Sequence, residues 1–549
     1  MNKIYLFSLL LLALCLTCRK KGEMQNNNGG NSNQFVSVTT QHNDNNRTGL
    51  NSHEIKLNTK NVNAQQFGKL FELAVDDQVY SQPLVISNLA INSATHNVVY
   101  IATTNNSVYA YDADNGSLLW QKNYTIAGMR PPTNTDMSAI GACSSAYFDF
   151  TENIGIVGTP VIDSAAQLMY FVARSTDGTT FVQHLHAVNI ITGGDIAGSP
   201  VQISATYNGT GDGSVNNVIT FDGQRQNQRQ ALTLVNGRVY VTWSSHCDLA
   251  PYHGWILGYN SKTFQQEIVY NNTPDGSDGG IWESGQGLAA DDAGNLYVAA
   301  GNGTAGVPGD PTNLRNRGES ATKLSVSGST LTVASYFTPY NFAFLDSVDN
   351  DLGSFGSLLI PNSNYFFTGR KGGVFYLLDK DNMGGYLPAS DPAHQVLALN
   401  LNDEHCQGSY YNGAANEYVY AWSENTSLQA FPFNRSTGMI DVNNILVSSA
   451  SGPTGGSGAV TSVSSNGNAD STGILWAAFA TPGCDAGHGA CPGVLYAFSA
   501  SNITTQLWSS LGNQSDAVGN YAKFSSPTIA NGHVYLATFS GYVDVYGLK

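Results

Sequence analysis

The sequence predicts an all-β protein: an eight-bladed β-propeller of four-stranded antiparallel blades, whose ring is closed by an N-terminal strand that completes the last blade. Three observations predict it. The 549 residues include 58 Gly and 28 Tyr but only 12% charged residues, a composition of sheets and turns, and no long stretch repeats its apolar residues every 3.6 positions. One strand motif, an apolar residue, usually an aromatic, then small or branched residues, returns eight times: 99–103 (VYIAT), 169–173 (MYFVA), 239–243 (VYVTW), 296–300 (LYVAA), 365–369 (YFFTG), 419–423 (VYAWS), 475–479 (LWAAF) and 534–538 (VYLAT). The last copy stops after its third strand, and residues 67–75 (FGKLFELAV) alternate apolar and polar side chains as a missing fourth strand would. Eight copies of one unit favour radial repetition over two sandwich domains.

In chain order, residues 1–17 read as a lipoprotein signal peptide. An apolar run follows Lys3 and is too short to span a membrane comfortably. Leu16-Thr17-Cys18 resembles a bacterial lipoprotein cleavage box, which makes Cys18 the lipidated first mature residue. Leu12-Ala13-Leu14-Cys15 is a rival, and an ordinary signal peptide with chance cysteines is the alternative. Residues 18–34, rich in Asn and Gly, are expected to be a flexible tether. Residues 35–66 read as a polar lead-in segment and 67–549 as one propeller.

Within the propeller, residues 99–120 (VYIATTNNSVYAYDADNGSLLW) are the cleanest repeat. Two strands meet at a short polar turn, and Asn115-Gly116 supplies the left-handed positions that lead into a third. The partner strand SVYAYD returns in the later blades, most weakly at 321–325 (ATKLS). Several innermost strands open on small residues and Pro (SQPLVI, GTPVID, SSPTI), as strand starts allow. Spacing between copies is uneven, so the insertions belong in loops.

Loops between second and third strands, and those joining one blade to the next, open on the same propeller face. Most of the unusual residues fall in them, which makes one face elaborated and the other plain. Asp346, Asp349, Asn350 and Asp351 are oxygen donors close together, a candidate Ca²⁺ site without EF-hand spacing; Asp/Asn runs also make turns. His246, Asp248 and His253, with Cys247 and Tyr252, are candidates for proton transfer or metal binding on one loop. A disulfide from Cys247 to Cys143 is an equally good use, and the pairing of Cys143, Cys247 and Cys406 stays open. Cys484 and Cys491 bracket a glycine-containing loop and are expected to be bridged. Trp282 beside Glu283 offers an aromatic floor with an adjacent acid, suited to a planar cofactor or sugar ring; a packing role is the alternative. Arg370 and Lys371, between glycines, are candidates to pair with an anionic ligand or to form a solvated turn.

A formal charge of −16 repels phosphate backbones and excludes nucleic acid as a partner class. Membrane contact is expected only through the lipid anchor.

Residues 108–120 (VYAYDADNGSLLW) closely resemble the repeat of pyrroloquinoline-quinone (PQQ) propellers, whose blades read Tyr-Ala-x-Asp, then Thr-Gly, then Trp; 495–508 (LYAFSASNITTQLW) and 185–193 are further matches. The resemblance covers the propeller and implies a fold shared by Ca²⁺- and quinone-dependent alcohol or sugar dehydrogenases and by cofactor-free scaffolds of the outer-membrane assembly machinery. With it come PQQ and Ca²⁺ as expected cofactors; Glu283, as the acid beside Trp282, is a further catalytic candidate read from the residues. The chain lacks the adjacent Cys-Cys pair of several such dehydrogenases. It also lacks a Cys-x-x-Cys-His motif, so no haem is expected and electrons would pass to a separate acceptor. The leading expectation is an exported cell-envelope propeller, in the periplasm or at the cell surface, with a site for a small-molecule or carbohydrate ligand or an envelope protein partner. The alternative is a PQQ- and Ca²⁺-dependent dehydrogenase oxidising an alcohol or sugar.

Overall fold

The computed structural model describes residues 35–399, 405–455, 457–487 and 489–549. The expected signal peptide, tether and lipidated Cys18 lie outside the described residues. Among those residues, eight antiparallel blades follow one another in chain order. The first blade is built from Leu84–Ile91, Ala94–Ala102, Ser107–Asp112 and Leu118–Asn123. Two short α-helices, Asn134–Ala139 and Phe342–Ser347, sit in loops that lead into blades 2 and 5. No helix among the described residues is long and apolar enough to cross a membrane.

The ring closes as the sequence predicts. Phe67–Ala74 pairs antiparallel with Tyr542–Leu548, from Phe67 opposite Leu548 to Ala74 opposite Tyr542, and supplies the outer strand of blade 8. Phe67 is fully buried against Trp476, Trp508 and Tyr546, so the closure is held by an aromatic cluster as well as by the ladder.

The repeat motif reads as an apolar run because second and third strands are covered on both faces by neighbouring blades. Ser107–Asp112 is buried at every position, whereas the outer strand Leu118–Asn123 has none that are. The motif tyrosine has a second task. Its hydroxyl reaches into the next blade: Tyr100 donates to the Ile190 carbonyl (3.0 Å), Tyr170 to Ser261 (2.8 Å), and Tyr535 to Ala113 across the closure (3.2 Å). A ring in the apolar seam thus carries a polar tip that ties adjacent blades.

The segment read as lead-in is part of the propeller. Residues 38–51 circle the central channel and bond to the innermost strand of every blade. Val38 pairs with Val85, the Thr39 carbonyl accepts from Ile162, and the Asn45 side chain donates to Leu234. The carbonyls of Asn45, Asn46, Thr48 and Gly49 accept from Ala290, Leu359, Tyr410 and Val463, and the Asn51 side chain donates to Ile529. The polar composition of the segment follows from this: innermost strands present unpaired amides and carbonyls to the channel, and a polar chain satisfies them. Arg47 is fully buried there, donating to the carbonyls of Gln41 and Leu288 and the hydroxyls of Thr40 and Thr233.

Candidate functional site

Above this plug the loops of the elaborated face enclose a cavity of about 300 Å³ at the channel mouth. Its wall draws on the loops leading into blades 2 to 6 and 8, and on turns within blades 3, 5 and 7. Five non-glycine residues of the lining, Cys247, Asp248, Ser284, Asp349 and Phe524, have left-handed φ between 46° and 67°. Such conformations cost about 1–3 kcal/mol each and concentrate where the surroundings force a side chain into a functional position.

The floor connects to the plug. Gln407 donates to the carbonyls of Ser284 and Phe524 and accepts from the Gln41 side chain (2.9 Å) and Ser526 Oγ (2.9 Å). The N-terminal segment therefore fixes the residues on which a ligand would rest.

Three cations meet the cavity. Lys523, 5% exposed, donates to the Gly487 carbonyl at 2.8 Å and lies 3.5 Å from Asp149; burial lowers its pKa. Lys371 bridges Asp349 (2.7 Å) and Asp351 (2.9 Å); burial opposes its charge, but Asp351 and Asp349 outweigh it and hold the ammonium above its usual range. Arg229 is different. Its guanidinium lies 4.6 Å from the Phe524 ring centroid and 5.3 Å from that of Trp282. Among the described residues no side-chain hydrogen bond or ion pair engages it, and its Nε is buried without a partner. Burial lowers its pKa against the more distant charges of Asp149 and Asp248, and the two aromatic rings attract the cation without forming hydrogen bonds to it, which leaves its donors for something else.

Asp248 opens to the cavity and accepts a hydrogen bond from the Tyr252 hydroxyl at 2.6 Å. Crowding by the surrounding loops pushes its carboxyl up to about 6 although the residue keeps contact with solvent, Tyr252 opposing and the charges of Asp351 and Asp349 adding to the rise. A carboxylate poised there can accept a proton near neutral pH.

The remaining sequence candidates divide plainly. Asp248, Trp282, Lys371, Asp349 and Asp351 line the cavity together. His246 lies behind the wall, 2.7 Å from the Tyr147 hydroxyl and 3.4 Å from Arg174, and burial keeps its pKa well below the ordinary value. His253 bonds to the Thr273 hydroxyl and the Asp212 carbonyl. Glu283 turns inward to the Ala299 amide (2.9 Å) and Ser357 Oγ (2.6 Å). Asp346 accepts from the Gly303 amide, and Asn350 from Arg370. Asn302 also donates to Asp349, so the four oxygen donors at 346–351 go to four different partners. Cys143 and Cys247 form a disulfide, as do Cys484 and Cys491; Cys406 is buried and belongs to neither. Reasoning from motifs missed Asp149, Arg229, Lys523 and Phe524. Their signal is position: Arg229, Lys523 and Phe524 come just before an innermost strand, where each blade delivers its chain to the channel mouth.

No family model matches the chain, and no curated protein does. Solved structures do. Quinohaemoprotein alcohol dehydrogenase from Comamonas testosteroni superposes with a TM-score of 0.58 at 12% identity, and a second such enzyme from Pseudomonas putida HK5 with 0.56 at 14%; each match covers 93% of this chain and 80% of the other. A europium-containing methanol dehydrogenase superposes with 0.53 at 12%, over 93% and 98%. The likeness is one of fold: an eight-bladed propeller like those of these dehydrogenases.

The PQQ and Ca²⁺ expected from the sequence resemblance meet no assembled cation site among the described residues. Among the described residues no three His, Cys, Asp or Glu side chains converge on one point as metal ligands, and the two acids on the cavity wall are bridged by Lys371. Arg229 lies over the indole that would support a planar ring.

Proposed function

We propose that this is an exported, lipid-anchored cell-envelope propeller that binds a small molecule in the cavity on its elaborated face. The ligand carries an acidic group, held by Arg229, and hydroxyls within reach of Asp248, as in a sugar acid or an aromatic hydroxy acid. The observation that carries the reading is the Arg229 guanidinium, which lies against Trp282 and Phe524 without a side-chain ion pair among the described residues, Asp149 and Asp248 acting on its charge only from farther off. The concave, half-open shape of the cavity supports a small molecule over a protein partner. Two disulfides support export, and the lipid anchor rests on the sequence around Cys18.

The test is calorimetric titration with a panel of uronic acids and aromatic hydroxy acids. Binding by the wild type that falls at least about 100-fold in Arg229→Leu, the loss of a charged contact, is the expected result. Binding that survives Arg229→Leu unchanged, or no binding across the panel, refutes the reading.

A second reading, a quinone-dependent dehydrogenase, is favoured by one observation: Trp282, Cys247 of the Cys143–Cys247 disulfide and the proton-accepting Asp248 all face one cavity. Addition of PQQ and Ca²⁺ to the purified protein, followed by dye reduction with alcohols and aldoses, decides it. Absence of both cofactor retention and turnover removes it.

A further inference from the structure

The charges on the cavity lining leave two remainders of opposite sign. Lys523 lies 3.5 Å from Asp149, and the single ammonium of Lys371 is shared by Asp349 (2.7 Å) and Asp351 (2.9 Å). Arg229 is left over as a cation. Among the described residues Asp248 has no ion pair either; its Oδ1 accepts from the neutral Tyr252 hydroxyl. The two remainders feel each other's charge, yet among the described residues no ion pair joins them across the cavity. Trp282 stands between them. Arg229 lies over the face of its ring, 5.3 Å from the centroid, and the acids gather past its edge. A Cβ at Gly301 would stand 2.1 Å from Asp351 Oδ2 and 2.9 Å from Trp282 Cδ1, so the glycine lets this carboxylate approach the indole, and the charges of Asp351 and Asp349 reach Asp248 strongly enough to help raise its carboxyl. One lysine among three carboxylates leaves that side of the cavity negative.

We propose that the ligand is a zwitterion, whose acidic group sits on Arg229 and whose ammonium sits on Asp248, as in an aromatic α-amino acid or an amino sugar acid. This rests on the reading that Arg229 holds an acid, and it names the group at the other end of the same molecule. A hydroxyl near Asp248 leaves the excess negative charge in place. An ammonium cancels it, brings three N–H donors and makes a charge-assisted bond to the carboxylate, about twice as strong as a neutral one. A plain monoanion meets Arg229 but is repelled by the uncompensated acids; a plain amine leaves Arg229 unanswered. Only a ligand with both signs matches the two sides of the cavity, and such matching is how a charged pocket selects its partner.

The experiment is calorimetric titration of the full chain with two matched pairs that differ by one amine for one hydroxyl: tyrosine against 4-hydroxyphenyllactic acid, and 2-amino-2-deoxyglucuronic acid against glucuronic acid. At pH about 7 Asp248 is ionised and such amines keep their proton. The wild type is expected to bind the amino member of at least one pair at least about 10-fold more tightly than its hydroxy partner. Asp248→Asn, whose asparagine tolerates the left-handed backbone at φ 48°, should bring the amino member down to the affinity of the hydroxy member. Arg229→Leu should weaken both. Hydroxy members that bind the wild type as tightly as amino members, with both lost in Arg229→Leu, overturn the zwitterion and leave the acid on Arg229 standing. An amino preference that Asp248→Asn does not change overturns the proposal as well. Failure of all four compounds to bind, or an amino preference that survives Arg229→Leu at full affinity, overturns the acid on Arg229 and the zwitterion with it.

Discussion

Glu283 lies beneath the cavity floor and should impose a measurable pH dependence on stability. Its side chain is fully buried, with Oε1 bonded to the Ala299 amide and Ser357 hydroxyl and Oε2 unpartnered among the described residues. Burial pushes the carboxyl from 4.5 up to about 8, against the pull of those two hydrogen bonds and of Arg47. Between those values the folded chain holds a proton that the unfolded chain has released, so stability is fully present below pH 4.5 and falls as pH rises toward 8. At pH 7 the unfolded carboxyl is about 2.5 pH units past its ordinary value, worth about 3 kcal/mol; past pH 8 the whole shift is worth about 5 kcal/mol. Glu283→Gln keeps the Oε1 acceptor and cannot ionise, while its buried amide hydrogens cost about 1–3 kcal/mol at every pH. Guanidinium unfolding of both proteins from pH 4.5 to 9 should therefore show the variant gaining on the wild type by about 3 kcal/mol up to pH 7. A constant difference across that range, or one that moves in favour of the wild type, refutes the reasoning.

Phe67→Ala should cost about 3–5 kcal/mol and open the ring, seen as faster proteolysis within blade 8 than in blades 3 to 5. Replacing both cysteines of a bridge by serine should cost about 2 kcal/mol for Cys484–Cys491, separated by 7 residues, and about 5 kcal/mol for Cys143–Cys247, separated by 104, read from denaturant midpoints. Arg47→Met strips donors from the Gln41 carbonyl and the Thr40 hydroxyl and should cost about 2–5 kcal/mol; protease cutting between residues 38 and 51 should appear before any cut in a blade. The affinity of a hydroxyl-bearing ligand for the wild type should rise as pH passes about 6 and Asp248 ionises, and this step should vanish in Asp248→Asn.

The fold was legible because burial on both faces of a blade writes the same apolar, aromatic residues into each repeat, and because a missing fourth strand at one end matched an alternating strand at the other. The plug at 38–51 was not, since its bonds run to eight strands far away in sequence and its own composition is that of any polar loop. Within the site, Trp282, Asp248, Lys371, Asp349 and Asp351 stood out because they break the repeat. Arg229 and Lys523 did not, being single residues in loops without pattern. Neighbours in sequence also proved poor guides to direction: Trp282 faces the cavity while Glu283 turns beneath it, and Lys371 reaches the wall while Arg370 bonds Asn350 behind it. That divergence is a property of the loops. Where a strand would send alternate side chains to opposite faces, the left-handed residues Glu283 and Ser284, or Cys247 and Asp248, turn the chain within one or two positions. A propeller with thin, regular blades can set opposed charges around one point only by such turns. The strain at the channel mouth and the plug that braces the floor below it are then two parts of one construction: the plug restrains the innermost strands, and those strands hold the turns that aim Arg229, Lys371 and Asp248 at a common volume.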